Sequence, residues 1–275
     1  MKLFNKAAII GVGLIGGSFG LALRKKALAK EIIGIGHRQK SIDRALKAGA
    51  IDQGYLGLDH LRGADLVVLS APVREIINIL PKLKNLTSED CLIIDAGSTK
   101  SEIIKLAEKH KLRFIGCHPL AGMEKKGPEN ARADLFMNSL CLLVPPEKYN
   151  SQDLSRVKKL WKALGSRTVI LNSARHDRIL AFTSHLPHVV VFSLIDCLKS
   201  EYLKFGAGGL KDTTRIGLSD PLLWKDIFLT NRAELLAAIG FFEKSLKKLK
   251  LLIRNNKDRA LMAYLEKSRD KRNGL

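Results

Sequence analysis

The sequence predicts an α/β domain with a parallel sheet, followed by an all-helical domain. Three observations predict it. Short β-branched runs alternate with longer helical patterns through the first two-thirds of the chain, the rhythm of strands joined by crossover helices. That rhythm stops near Asn172, and from Ser173 onward helical patterns run with almost no strand signal. The 275 residues suffice for two ordinary domains, and the division is placed at residues 1–172 and 173–275.

Strands are expected at 6–12, 31–37, 66–70, 91–95, 113–117, 139–144 and 168–171. Their near-continuous apolar character suits strands covered on both faces. Between them, Val73, Ile76, Ile77, Leu80 and Leu83 mark one helical face, and Ile103, Ile104 and Leu106 begin another. Ser41 and Ser151 are read as helix N-caps. In the second part the main breaks are the glycines of 206–209 and the Gly217-Leu218-Ser219-Asp220-Pro221 segment.

The apolar fraction of 46% is that of a globular protein. No apolar stretch reaches the roughly 18 residues that span a bilayer, and the first six residues lack the features of a signal peptide. The expectation is a cytoplasmic protein with no membrane partner. Cys91, Cys117, Cys141 and Cys197 lie among apolar neighbours without a CxxC pair, so they are read as buried reduced thiols, with no metal site. The formal charge is +20, and basic residues crowd the C-terminal part. There Phe241, Phe242, Leu246, Leu249, Leu252 and Ile253 recur at roughly helical spacing, which describes an amphipathic helix with a solvated basic face. No nucleic-acid motif accompanies the charge.

The chemistry begins at Gly11-Val12-Gly13-Leu14-Ile15-Gly16, a GxGxxG between a strand and a helix within an N-terminal βαβ unit. Gly11 permits the tight turn, Gly13 lets backbone approach a pyrophosphate, and Gly16 allows close helix–strand packing. The helix start at Leu14 and Ile15 offers unpaired N–H groups and a positive dipole end to phosphates. A nicotinamide dinucleotide is therefore expected, NAD or NADP. The second strand ends Gly36-His37-Arg38-Gln39-Lys40 with no carboxylate for a ribose 2′-OH. His37 and Arg38 offer positive charge to a 2′-phosphate instead, which leans the reading toward NADP. Ser70-Ala71-Pro72 follows another strand and is placed beside the cofactor, since open α/β sheets bind ligands at their carboxyl ends.

Further along stand Asp95-Ala96-Gly97-Ser98-Thr99-Lys100, His118-Pro119-Leu120-Ala121-Gly122, Ser184-His185-Leu186-Pro187-His188 and Asp212-Thr213-Thr214-Arg215. With these motifs the chain resembles the prephenate/arogenate dehydrogenase family over nearly its whole length. The resemblance implies a Rossmann-type dinucleotide domain, then a helical substrate and dimerisation domain that makes a homodimer. It also implies an NAD(P)-dependent oxidative decarboxylation of a cyclohexadienol in aromatic amino acid biosynthesis, leading to tyrosine. The length corresponds to the catalytic core without a mutase or ACT domain.

By this resemblance His118 is the catalytic base and Ser98 bonds near the reacting hydroxyl. Ser98 is also read as an N-cap for the helix that follows. Neutral imidazole suits removal of a hydroxyl proton near pH 7. Arg215 matches the family's carboxylate-binding arginine, and its planar fork suits bidentate pairing. His185 matches a pocket histidine, whereas His188 is read as a packing or supporting residue. Asp212 positions Arg215 or reaches the pocket of the partner subunit, and Glu124 orients substrate, although Met123 departs from the polar residue common there. Prephenate and arogenate need the same base, hydride path and carboxylate clamp, so both stand as substrates at this point. A β-hydroxyacid dehydrogenase or imine reductase would share the first domain but uses a catalytic lysine in the second. A dinucleotide sensor or nucleic-acid binder on this fold would draw only on the basic tail.

Overall fold

The computed structural model describes residues 2–122 and 127–274. An eight-stranded sheet carries the first part: β1 (Phe4–Ile10), β2 (Ala29–Ile35), β3 (Gln53–Tyr55), β4 (Leu66–Leu69), β5 (Leu92–Asp95), β6 (Phe114–Pro119), β7 (Leu140–Val144) and β8 (Arg167–Ile170). The order is β3-β2-β1-β4-β5-β6-β7-β8, with every pair parallel except β6 and β7. The chain reverses direction across the sheet between β1 and β4, which opens a crevice at their carboxyl ends.

Alternation along the strands explains the two covered faces. Ala7 and Ile9 join a core with Phe19 and Leu23 of α1 (Leu14–Lys25) and with Leu160 and Trp161 of α5 (Ser151–Ala163). Ala8 and Ile10 face the other way, toward Val73, Ile76, Leu80 and Leu83 of α3 (Val73–Leu86) and Ile103 and Ile104 of α4 (Ser101–Lys109). Burying both faces is what removes polar alternation from these strands.

Several expectations need correction. β3 was not foreseen, because three residues, QGY, are too few to show a period. The β6–β7 pair is antiparallel: among the described residues of the link between them there is a short 3-10 turn, Pro128–Asn130, and no α-helix to carry the chain back across the sheet. Ser41 lies inside α2 (Gln39–Lys47), and Ser151 is the first residue of α5, whose cap is Asn150 with its side chain accepting from the Gln152 N–H.

Helices make up the rest: α6 (Ser173–Leu180), α7 (Leu186–Asp196), α8 (Gly208–Thr214), α9 (Pro221–Thr230), α10 (Arg232–Arg254) and α11 (Asp258–Asn273). Asn172 caps α6 by accepting from the Arg175 N–H. The continuous helical stretch Ser173–Asp196 is long and apolar enough, by length and composition, to cross a membrane, against the expectation of no such stretch. Its polar residues interrupt the apolar run, but the apolar majority keeps the mean hydropathy of its best window at 1.5. Cys197 at its end is exposed, unlike the other three cysteines. The apolar stripe of α10 is also largely open in the single chain, with Phe241 and Ile253 both more than half exposed.

Candidate active site

The glycine-rich turn fits a dinucleotide. Gly11 has φ +93°, and a Cβ there would stand 2.7 Å from the Ser70 carbonyl oxygen. A Cβ on Gly16 would collide with the Gly11 oxygen at 2.1 Å, whereas one on Gly13 would meet nothing within 4 Å. The turn is thus closed toward the sheet and open toward the crevice. α1 starts with no side-chain cap and no acidic residue in its first turn, which leaves its N–H groups and dipole available to an anion. The Ser70 hydroxyl donates to the Gly11 carbonyl at 2.7 Å, so it ties β4 to the turn. Ala71 and Pro72 lead from there into α3. His37 and Arg38 are exposed at the end of β2, with Arg38 at the start of α2.

Two strands along, a buried ion pair organises the next loop. Lys100 and Asp95 are fully buried with Nζ 2.7 Å from Oδ2. The Asp95 carboxylate also accepts the N–H groups of Gly97 and Cys117. Removing one member of such a pair costs about 3–5 kcal/mol. The pair therefore fixes the loop that carries Ser98, itself half-buried, against β6. β5 and β6 run parallel with Ile94 opposite Ile115, so Ser98, just past the end of β5, and His118, near the end of β6, share one end of the sheet. Ser98 caps no helix: α4 begins at Ser101, and the Lys100 and Ser101 N–H groups donate to the two carboxylate oxygens of Asp177, each at 2.8 Å.

His118 is 9% exposed, and its Nδ1 stands 2.9 Å from His176 Nε2. His176 Nδ1 is 2.8 Å from Asp177 Oδ1. Burial, then His176, Lys100 and His185, hold His118 well below the ordinary imidazole range, so it is neutral near pH 7.

From the helical side, the turn Ala181–His185 is a π-turn closed by the Leu186 N–H on the Ala181 oxygen. Pro187 has no N–H to continue the α pattern, which accounts for the wider turn. His185 is only 1% exposed, its Nδ1 facing Asn231 Nδ2 at 3.0 Å, and burial lowers it to about 4. Its side chain is enclosed in the interior, away from solvent. His188, one turn on, is half-buried, stacked 3.4 Å from the Trp224 ring, and 3.5 Å from the Ser219 hydroxyl. Arg215 is exposed and opens the 3-10 turn Arg215–Leu218, which packs on α7, where Gly217 admits Ile195 and Val191. Asp212 is exposed on α8, three residues earlier. Glu124 lies outside the described residues.

Sequence reasoning missed His176, Asp177, Asn231 and Trp224. The first two are adjacent in a polar stretch, ARHDR, that carries no motif, and only the helix packing against α4 reveals them.

Residues 19–170 match the family described as prephenate dehydrogenase, nucleotide-binding domain, and residues 172–267 match prephenate dehydrogenase, dimerization domain. A prephenate dehydrogenase of Bacillus subtilis is 33% identical over 97% of this chain and 75% of its own length. A cyclohexadienyl dehydrogenase of Zymomonas mobilis is 32% identical over 100% of this chain and 97% of its own. Among solved structures, the prephenate dehydrogenase of Aquifex aeolicus in complex with hydroxyphenyl propionate and NAD+ superposes with a TM-score of 0.94. It is 36% identical and covers 98% of both chains.

Proposed function

The chain belongs to the prephenate dehydrogenase family, and we propose that it converts prephenate to 4-hydroxyphenylpyruvate in tyrosine biosynthesis. The observation that carries the reading is His118, buried and neutral at the end of β6, on the same edge of the sheet as the glycine-rich turn after β1. A neutral imidazole accepts the C4 hydroxyl proton. A dinucleotide held at the turn of residues 11–16 would supply the oxidised nicotinamide as acceptor for the hydride that leaves C4. The C1 carboxylate departs as carbon dioxide, and its bonding electrons complete the aromatic ring and move onto the C4 oxygen. That oxygen then takes the proton back from His118. A bound dianion would raise the His118 pKa again, favouring the intermediate imidazolium.

Ser98 bonds the reacting hydroxyl from the adjoining strand end, and Arg215 pairs with a substrate carboxylate. Because His185 is enclosed, His188 takes the pocket position, held by its stack on Trp224. Asp212 and Glu124 remain candidates for orienting Arg215 and substrate. Gly11, Gly13, Leu14, Ile15 and Gly16 hold the pyrophosphate, and His37 and Arg38 favour NADP over NAD. The domains divide at Asn172. The open apolar stripe of α10 and the exposed sides of α7 form the homodimer interface of a cytoplasmic enzyme. The test is turnover of prephenate and of arogenate, each with NAD and with NADP, followed by reduced nicotinamide absorbance and product identification. Turnover of arogenate alone would move the substrate assignment, and turnover of neither would end it.

A further inference from the structure

Two buried ionisable side chains, His176 and Asp177, stand in series behind His118 and take no part in the reaction just described. We propose that they are positioning residues that fix the tautomer of His118, so that Nε2 is the nitrogen that meets substrate. The inference rests on His118 being the base.

The direction of each hydrogen bond follows from its neighbours. The Asp177 carboxylate, 2% exposed, receives the backbone N–H groups of Lys100 and Ser101 on its two oxygens. A backbone N–H only donates, so both oxygens act as acceptors. Burial opposes that charge, but hydrogen bonds from His176 and Ser101 outweigh it and hold the carboxyl below its usual range. His176 Nδ1, 2.8 Å from Oδ1, must therefore carry the hydrogen. Burial keeps His176 neutral, with one ring hydrogen, so its Nε2 is bare. Across 2.9 Å that bare nitrogen faces His118 Nδ1, which must then be the N–H partner. A neutral His118 with hydrogen on Nδ1 has its lone pair on Nε2.

Asn231 holds the far end of the series. Its Nδ2 donates to the Asp177 peptide oxygen at 2.8 Å and meets His185 Nδ1 at 3.0 Å. The ionisable groups around the series are Asp95 at the end of β5 and Lys100 in the loop after it, both charged, with neutral His185 from the π-turn. One carboxylate thus sets the tautomer of the base and anchors the helix that follows the Ser98 loop.

The test has two arms. Nitrogen-15 NMR of histidine-labelled protein near pH 7.5, without ligands, reads the tautomers directly. The proposal expects His118 Nε2 and His176 Nε2 to be pyridine-like and both Nδ1 atoms pyrrole-like. The opposite or an averaged tautomer at His118 overturns it, whether or not the protein turns over any dienol. In the second arm, Asp177→Asn can present an amide N–H to His176 and reverse the series. A wrong-tautomer substitution in a Ser-His-Asp triad costs about 10⁴ in kcat, and a loss of about 10² or more is expected here. His176→Gln places an amide oxygen near the Nε2 position and can still accept from His118, whereas His176→Asn cannot reach. Gln should exceed Asn in kcat by about tenfold or more at equal substrate KM and cofactor Kd. Equal losses in Gln and Asn would reduce His176 to packing and overturn the proposal.

Discussion

Acidification should unfold this protein early, and His185 provides the measurable increment. An imidazole whose folded pKa is lowered binds fewer protons folded than unfolded, so stability falls as pH drops below the unfolded value. For His185 the window runs from about 6.5 down to about 4. A tenfold difference in proton affinity between the folded and unfolded chain is worth about 1.4 kcal/mol, so between pH 7 and 4.5 this one residue removes about 2–3 kcal/mol. His118 and His176 are lowered for the same reason, burial, and add to the slope in the same direction. Asp177 has the opposite timing. Its folded value is depressed, so its contribution is present above the ordinary carboxylate range and is lost only below it. The assay is urea unfolding followed by Trp161 and Trp224 fluorescence, at pH steps from 7 to 4.5 and fixed protein concentration. His185→Asn keeps an acceptor for Asn231 and removes the titration. It should flatten the pH dependence by about 2–3 kcal/mol over that span. A wild-type stability that rises on acidification, or a variant with the wild-type slope, would refute the reasoning.

Three further outcomes are expected. His118→Asn should retain cofactor binding by fluorescence titration and lose about 10² to 10⁴ in kcat, the usual contribution of a positioned base; near-normal turnover would remove it from the mechanism. Arg38→Ala should shift the ratio of NADP to NAD kcat/KM by about tenfold or more, since a charge-assisted contact is worth roughly 1.5–3 kcal/mol, and an unchanged ratio would favour NAD. Arg215→Ala should raise substrate KM by one to three decades, corresponding to about 2–5 kcal/mol for an unpaired carboxylate. Lysine should restore only part, because it lacks the bidentate fork. A loss of cofactor affinity with unchanged substrate KM would point instead to Lys211.

The parallel core was legible because its physics is local. A strand buried on both faces must be apolar throughout, and a turn that holds Gly11 at φ +93° admits few other residues. The antiparallel return of β7 was not legible, since β7 has the same apolar composition as a parallel strand and direction depends on what lies between strands. Cys197 shows a related limit. Its apolar neighbours imply burial, yet the surface they form is open in one chain, as on α10.

The site divides along the same line. His118 and Ser98 are named by motifs at strand ends, where parallel neighbouring strands bring them to one end of the sheet. On the helical side, sequence spacing does not separate the two histidines of one motif. In Ser184-His185-Leu186-Pro187-His188 the two histidines are equivalent as letters. The π-turn before Pro187 turns His185 into the interior, toward Asn231, and leaves His188 half-exposed on Trp224. His176 and Asp177 were missed for a different reason. Their chemistry exists only between domains, where a helix of the second part supplies the carboxylate that α4 of the first lacks at its own N-terminus. An uncapped helix start beside a reactive loop is therefore an informative gap. Lys100, with no side-chain oxygen to accept from the first turn, stands where a cap belongs. Its backbone N–H requires an acceptor from elsewhere. The residue that answers that need also orients the base.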